Sequence, residues 1–182
     1  AATGQYELRI NGKLPDDSVL NGSWTDFHKR IHYRTFEVTA LLKEGRNCLS
    51  MEAGNGWYYG KCKDGRYFYT MDKGYEAFGD KLGVNVFLEY EDGTREEVVT
   101  DESWRILESP VTYTNIYGSE DFDSRKENTY WLFSPEEEEK LAKAVFLEDG
   151  PKLGTLEPML YAPVKVIRAY EGKLAAEEAD GS

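Results

Sequence analysis

The chain has 182 residues, of which 40% are hydrophobic and 14% aromatic, and this composition is typical of one globular domain rather than a disordered segment. Its formal net charge of −12 argues against nucleic acid and anionic membranes as partners, because both bind positively charged surfaces. No apolar run approaches the ~20 residues that a membrane-spanning helix needs. The sequence does not indicate a compartment.

The first predicted strand begins close to the first residue. Gln5 to Ile10 alternates apolar and polar side chains, and Asn11-Gly12 then indicates a tight hairpin turn. The same alternation in YRTFEV predicts a strand over residues 33–38. A third strand is predicted over residues 48–52, after a turn at 43–47.

A loop rich in glycine and aromatic residues follows the third strand. Its sequence, GNGWYYG from Gly54 to Gly60, suggests a sharp bend that presents aromatic faces. Flat rings stack on the C–H faces of a pyranose, so the loop is predicted to contact a sugar.

The middle of the chain reads as a hairpin. Residues 81–90 alternate so that Leu82, Val84, Val86 and Leu88 share one face. The turn EDGT follows, and residues 95–100 form the predicted return strand.

The predicted helix spans residues 134–144. Ser134 is a good N-cap, Pro135 suits the first helical position, and Glu137 completes a capping box. The acidic run that follows Pro135 is interpreted as a solvated helix start, since negative charge is favourable there. A last strand is predicted over residues 164–170.

Many short strands separated by Gly, Asn and Asp turns, with one short helix, predict an all-β fold built as an antiparallel β-sandwich. We expect one domain over residues 1–171, with residues 172–182 starting a linker or a next domain.

Three segments, GSWTDFHKR, YRTFEVTALLKEGRN and GNGWYYG, resemble the N-terminal, non-catalytic domain of bacterial alpha-L-rhamnosidases, family 78 glycoside hydrolases. The resemblance extends to YELRINGK, GDKLGVNVFLEYEDGTREEVVTDESWR and IYGSEDFDSRKE, weakens from Thr129 to Leu147 and returns at residues 162–166. It implies a jelly-roll sandwich, a strand before Gln5 that is truncated here, and a longer parent glycosidase.

The resemblance also implies that catalysis belongs to a separate helical barrel domain of the parent chain. A glycosidase needs two carboxyl groups about 5–10 Å apart. The spacing of Glu120, Asp121 and Asp123 does not by itself make such a pair. We therefore assign no catalytic residue and expect no enzyme activity from this chain alone.

Carbohydrate recognition is the predicted role. Sugar sites combine aromatic platforms with a few polar groups that fix orientation. Two segments supply such groups, and the predicted carbohydrate-binding residues are Asn55, Trp57, Tyr58, Tyr117, Glu120, Asp121 and Asp123. The expected partners are a rhamnose-containing glycan and the catalytic domain of the same parent chain.

No metal site or cofactor is assigned, although calcium is possible. Some domains that resemble this one are rhamnose-binding modules of carbohydrate-binding module family 67, in which a calcium ion contacts the sugar. Only Asn55 carries over, Gly56 offers no side-chain ligand, and calcium takes ~6–8 oxygen ligands. His28 and His32 are spaced i, i+4, but no third ligand accompanies them.

The same residues also have structural interpretations that do not involve a ligand. Trp24 and Trp57 could be core or interdomain packing groups, and Asp26–Arg30 and Asp123–Arg125 could be ion pairs that fix loops. Cys48 fits a buried free thiol better than a disulfide with Cys62. The function therefore has three candidates: an accessory domain that recognises carbohydrate, an autonomous calcium-dependent rhamnose-binding module, or a purely structural domain.

Overall fold

The structure is a computed structural model that describes residues 1–58, 81–145 and 153–172. Its strands are β1 Gln5–Ile10, β2 Arg30–Tyr33, β3 Leu49–Gly54, β4 Asn85–Glu89, β5 Arg95–Val99, β6 Arg105–Ile106, β7 Val111–Asn115, β8 Ser119–Phe122, β9 Ala142–Lys143 and β10 Thr155–Pro158. The α-helix α1 spans Pro135–Glu138, and 3₁₀ turns occupy Thr39–Leu41, Ser124–Lys126 and Tyr130–Leu132. The predicted all-β class is confirmed.

Strand β1 forms as predicted, but its partner is distant in sequence. Its alternating pattern buries Tyr6, Leu8 and Ile10. The Asn-Gly turn is present, with φ of 52° and 79° at its two residues. The strand that pairs antiparallel with β1 is β3, from Gln5 opposite Gly54 to Ile10 opposite Leu49. The turn returns the chain to β1 in a single antiparallel bridge, Ile10 with Lys13, whose two backbone hydrogen bonds are each 2.9 Å long. The predicted hairpin turn is therefore present, but the full-length partner of β1 is β3.

The predicted strand over residues 33–38 is wrong beyond its first residue, because β2 ends at Tyr33. Arg34 turns inward instead and donates hydrogen bonds to Ser18, Asn21 and Asp16. Its side chain is 11% exposed. These long-range bonds outweigh the local alternation of the sequence, which carries no information about them.

Strand β2 pairs with β10 in parallel, with Ile31 opposite Leu156. This parallel pair departs from the predicted antiparallel arrangement. The other strand pairs of the described residues are antiparallel, as predicted. Next to it lies the hydrophobic cluster of Phe27, Ile31 and Tyr58.

Strands β4 and β5 form the predicted hairpin, with Asn85 opposite Val99 and Glu89 opposite Arg95. Val86 and Leu88 are half-buried, whereas Phe87 between them is 74% exposed. The predicted alternation of faces is therefore present along β4.

The predicted helix begins correctly and ends early. Ser134 caps α1 with a complete capping box, Pro135 opens it, and the helix stops at Glu138. Residues 142–143 pair with β6 instead, so tertiary pairing overrides the local helical preference. Within the described ranges, no helix combines the length and hydropathy of a membrane-spanning segment.

Two further predictions concern single residues or short segments. The predicted last strand over residues 164–170 is reduced to one bridge, between Lys165 and Ser18. Cys48 is a half-buried free thiol, and burial raises its pKa. Cys62 lies outside the described residues.

Candidate carbohydrate-binding site

The loop after β3 is shaped by a glycine and an asparagine. Gly56 has φ of +50°, and a Cβ added there would lie 2.6 Å from the backbone nitrogen of Gln5. A residue with a side chain would therefore displace the loop from β1. The amide nitrogen of Asn55 donates to the carbonyl oxygen of Thr114 over 2.8 Å, which ties the loop to β7. Asn55 thus positions the loop through this contact.

The loop directs its aromatic residues differently. Tyr58 is 1% exposed and packs edge-on against Phe27, with ring centroids 5.3 Å apart. The Nζ atom of Lys81 donates to its hydroxyl oxygen over 3.2 Å. Burial therefore removes Tyr58 from the predicted sugar-contacting side chains, because its ring belongs to the core. Tyr59 lies outside the described residues.

Trp57 and Trp24 stack on each other. Their ring centroids are 4.2 Å apart and their planes lie 9° from parallel. Trp57 is half-buried and packs against the hydrophobic cluster, whereas Trp24 is 61% exposed. Trp24 therefore covers one face of Trp57 and presents its own outer face to solvent, so it is not a core residue of this domain. The interpretation of Trp24 as an interdomain packing group stays a prediction.

Tyr117 completes this group, which we call the aromatic patch: Trp24, Trp57 and Tyr117. The Tyr117 ring meets the Trp57 ring edge-on, with centroids 5.9 Å apart, and its side chain is 45% exposed. The two predicted segments, around residues 57 and 117, do meet. Trp24 is the member that sequence reasoning did not assign to binding, because exposure cannot be read from its segment.

A tight turn between β7 and β8 places Tyr117. The side-chain oxygen of the buried Asn115 accepts from the backbone N–H groups of Tyr117 at 2.9 Å and Gly118 at 2.8 Å. Asn115 and Ser119 pair at the base of this turn. The tip is thereby fixed from within, so Tyr117 is held against Trp57 by rigid backbone.

The predicted acidic residues lie along β8 and just after it. Glu120 is exposed and opposite Thr114, and Asp121 is half-buried and opposite Tyr113. Because side chains alternate along a strand, Glu120 and Asp121 face opposite sides.

Asp123 is held by its neighbour. Its carboxylate accepts from Nε and Nη2 of Arg125, each over 2.8 Å, and from the Arg125 backbone N–H. These bonds lower the pKa of Asp123, first through the Arg125 side chain and then through the backbone. The predicted Asp123–Arg125 pair is confirmed, and it engages the lone pairs that a sugar hydroxyl would use.

The second predicted ion pair is replaced by two others. Asp26 pairs with Lys29 over 3.1 Å, and Arg30 lies 3.7 Å from Glu157 of β10. Arg30 thus supports the parallel strand pair instead of the loop before it.

In the parts of the chain that the structure describes, no group of three or more His, Cys, Asp or Glu side chains could hold a metal ion. His32 packs edge-on against Tyr161 with centroids 5.8 Å apart, whereas His28 is exposed.

The sequence matches the family model described as the alpha-L-rhamnosidase N-terminal domain over residues 1–168. The chain belongs to the alpha-L-rhamnosidase N-terminal domain family. Two curated relatives are alpha-L-rhamnosidases. The protein of Streptomyces avermitilis is 28% identical over 99% of this chain and 17% of its own length, and that of Formosa agariphila is 27% identical over 98% and 18%.

Solved structures of this family are similar as well. The alpha-L-rhamnosidase from Dictyoglumus thermophilum is 32% identical with a TM-score of 0.78, over 92% of this chain and 17% of that one. The Streptomyces avermitilis enzyme, solved in complex with L-rhamnose, is 27% identical with a TM-score of 0.76, over 92% and 16%. This chain therefore shares its β-sandwich class with them and spans about one sixth of their length.

Proposed function

We propose that this chain is a non-catalytic domain that recognises rhamnose-containing carbohydrate within an alpha-L-rhamnosidase-like glycoside hydrolase. The observation that carries the proposal is the aromatic patch, in which Trp24 is stacked on Trp57 and still 61% exposed. The domain boundary near residue 171 is part of the same proposal.

A fixed exposed ring suits sugar binding for a physical reason. Stacking on Trp57 holds the Trp24 ring in one orientation before any ligand arrives, so little side-chain entropy is lost on binding. Its outer face is flat and apolar, like the C–H face of a pyranose. Tyr117, which contacts the Trp57 ring, adds a hydroxyl group to the patch, and such a group can orient a ligand by hydrogen bonding.

The polar part of the site comes from the same hairpin. Glu120 is exposed on β8, two residues beyond the turn that carries Tyr117. A carboxylate there can accept hydrogen bonds from sugar hydroxyls. Asp121 stays a candidate for contact with a sugar. Asp123 is a weaker candidate, because its carboxylate already accepts hydrogen bonds from Arg125.

The non-catalytic part of the proposal rests on the length of the relatives, and the state of Asp123 is consistent with it. A glycosidase needs a carboxylic acid with a raised pKa that protonates the leaving group. The pKa of Asp123 is lowered, so this group favours the ionised form. The relatives extend well beyond this domain, which leaves room for a separate catalytic domain in the parent protein.

Calorimetric titration of the 182-residue chain with L-rhamnose tests the proposal, with calcium chloride in one series and a chelator in the other. We expect heat of binding from the wild type and at least a tenfold weaker affinity for Trp24→Ala, about 1.4 kcal/mol. Phe87→Ala, which removes an exposed ring from β4, is the matched control and should bind like the wild type.

Each alternative gives a distinct result. Binding that requires calcium would favour the autonomous calcium-dependent module. No binding in either series, to rhamnose or to rhamnose-containing oligosaccharides, would contradict carbohydrate recognition and favour a purely structural domain. Hydrolysis of an aryl rhamnoside by the isolated chain would contradict the non-catalytic assignment.

A further inference from the structure

The last described segment carries a row of exposed apolar side chains, which we call the C-terminal strip. Its members are Leu156 at 63% exposure, Leu160 at 90%, Val164 at 54%, Val166 at 67%, Ile167 at 98% and Tyr170 at 80%. Six large apolar side chains with such exposure within one short segment are unusual on a soluble surface and favour an interaction site.

The backbone that carries the strip is attached to the domain at successive points. The amide of Met159 donates to the carbonyl oxygen of Tyr33 over 2.9 Å. The amide of Val19 donates to the carbonyl oxygen of Val164 over 2.9 Å. Between them, the hydroxyl of Tyr161 donates to Ser23. These bonds hold the backbone of the strip as far as Lys165, which forms a β-bridge with Ser18.

The strip also differs in charge from the rest of the chain. No Asp or Glu lies between Glu157 and Glu171, although the chain as a whole has a net charge of −12. Within that interval the charged groups are Lys165 and Arg168. Lys165 pairs with Asp17, so its charge is compensated within the domain. Burial of the strip therefore desolvates no unpaired carboxylate, because the carboxylate beside it, Asp17, keeps Lys165 as its partner.

We infer that the C-terminal strip docks against the polypeptide that follows this domain in the longer protein. The inference rests on the proposed place of the chain in a longer hydrolase, since relatives are about six times as long as this chain. Aliphatic side chains such as Ile167 and Leu160 offer no flat face and no hydrogen bond to a sugar, whereas the apolar core of a protein interface is built from such groups.

Hydroxyl-radical footprinting of the 182-residue chain and of the longer protein tests this inference. We expect Leu160, Ile167 and Tyr170 to be labelled at least fivefold more slowly in the longer protein. Leu132, which is 71% exposed outside the strip, is the matched control and should be labelled equally in both. Equal labelling of the strip in both proteins would overturn the inference.

A substitution gives a second readout. Ile167→Ser should leave the melting temperature of the 182-residue chain nearly unchanged, because the side chain is 98% exposed there. In the longer protein the same change should lower the melting temperature of this domain by several degrees, and Leu132→Ser should not. An equal effect in the two proteins would contradict docking.

Two controls separate this inference from others. Protection of the strip that grows with the concentration of the 182-residue chain would show a second copy as the occupant and overturn the inference. Rhamnose titration reports on Trp24 and not on Ile167. If the chain does not bind rhamnose, the footprinting experiment still tests docking of the strip independently.

Discussion

The indole ring of Trp24 covers one face of Trp57, with 4.2 Å between ring centroids, while Trp57 rests on the core cluster. The contact links a surface loop to the interior. It also means that the face of Trp57 turned toward Trp24 is not available to a ligand, so the proposed sugar platform is the outer face of Trp24.

Replacing Trp24 by alanine is therefore predicted to change the solvent exposure of Trp57 more than the stability of the fold. We expect a loss of about 1 kcal/mol in the free energy of unfolding, typical of an aromatic pair. The fluorescence of Trp57 should shift to longer wavelength and become more accessible to acrylamide. Unchanged accessibility of the remaining tryptophans would contradict the stack.

Gly12 and Gly45 form a matched pair of positions for alanine substitution. Their φ angles are +79° and +77°, but a Cβ at Gly12 would lie 2.8 Å from the Trp131 ring, whereas one at Gly45 meets nothing within 4 Å. Both variants suffer the same backbone strain. We expect Gly12→Ala to lose about 2 kcal/mol more than Gly45→Ala in urea unfolding, because overpacking is added. Equal losses would show that Trp131 does not rest on this turn.

The Asp16–Arg34 pair is predicted to make stability depend on pH in acid. Burial by itself raises the pKa of Asp16, but hydrogen bonds from Ser18 and Arg34 and the charge of Arg34 outweigh it and lower the pKa. A lowered pKa in the folded state means that the contribution is fully present above the unfolded value of about 3.9 and is lost as pH falls through the folded value.

Asp16→Asn should accordingly cost about 2 kcal/mol near neutral pH, as expected for hydrogen bonds to a charged group. The difference from wild type should shrink as pH falls below about 4. Urea unfolding from pH 2 to 7 measures it. A double-mutant cycle with Arg34→Met should give a coupling that fades over the same range, and a coupling independent of pH would contradict the pair.

Asn55 is predicted to affect sugar binding indirectly, by holding the loop that carries Trp57 in place. Its amide donates to the carbonyl of Thr114 across the gap between β3 and β7. Asn55→Ala should lower the free energy of unfolding by about 1 kcal/mol and weaken rhamnose binding indirectly. Asn85→Ala removes an exposed amide that contacts Glu97 and should change neither quantity. Weaker binding with unchanged stability would instead make Asn55 a direct ligand.

Local patterns predicted those parts of the fold whose partners are near in sequence or whose burial is periodic. The alternation of QYELRI, the hairpin around Asp92-Gly93 and the capping box at Ser134 are all present. The patterns failed where a distant contact competes. Arg34 lies outside a strand and donates a hydrogen bond to Asp16. Residues 142–143 are not helical and pair with β6.

The sequence by itself determined the class of fold, the family and the two segments that meet at the site, because periodic burial, turn chemistry and ordered motifs are local properties of the chain. Tertiary structure alone decided which aromatic rings face solvent. Trp57 and Tyr58 are neighbours in the chain, yet one ring stacks on Trp24 and the other packs against Phe27 in the core. Exposure depends on what the rest of the chain places beside each ring, and adjacent residues do not encode it.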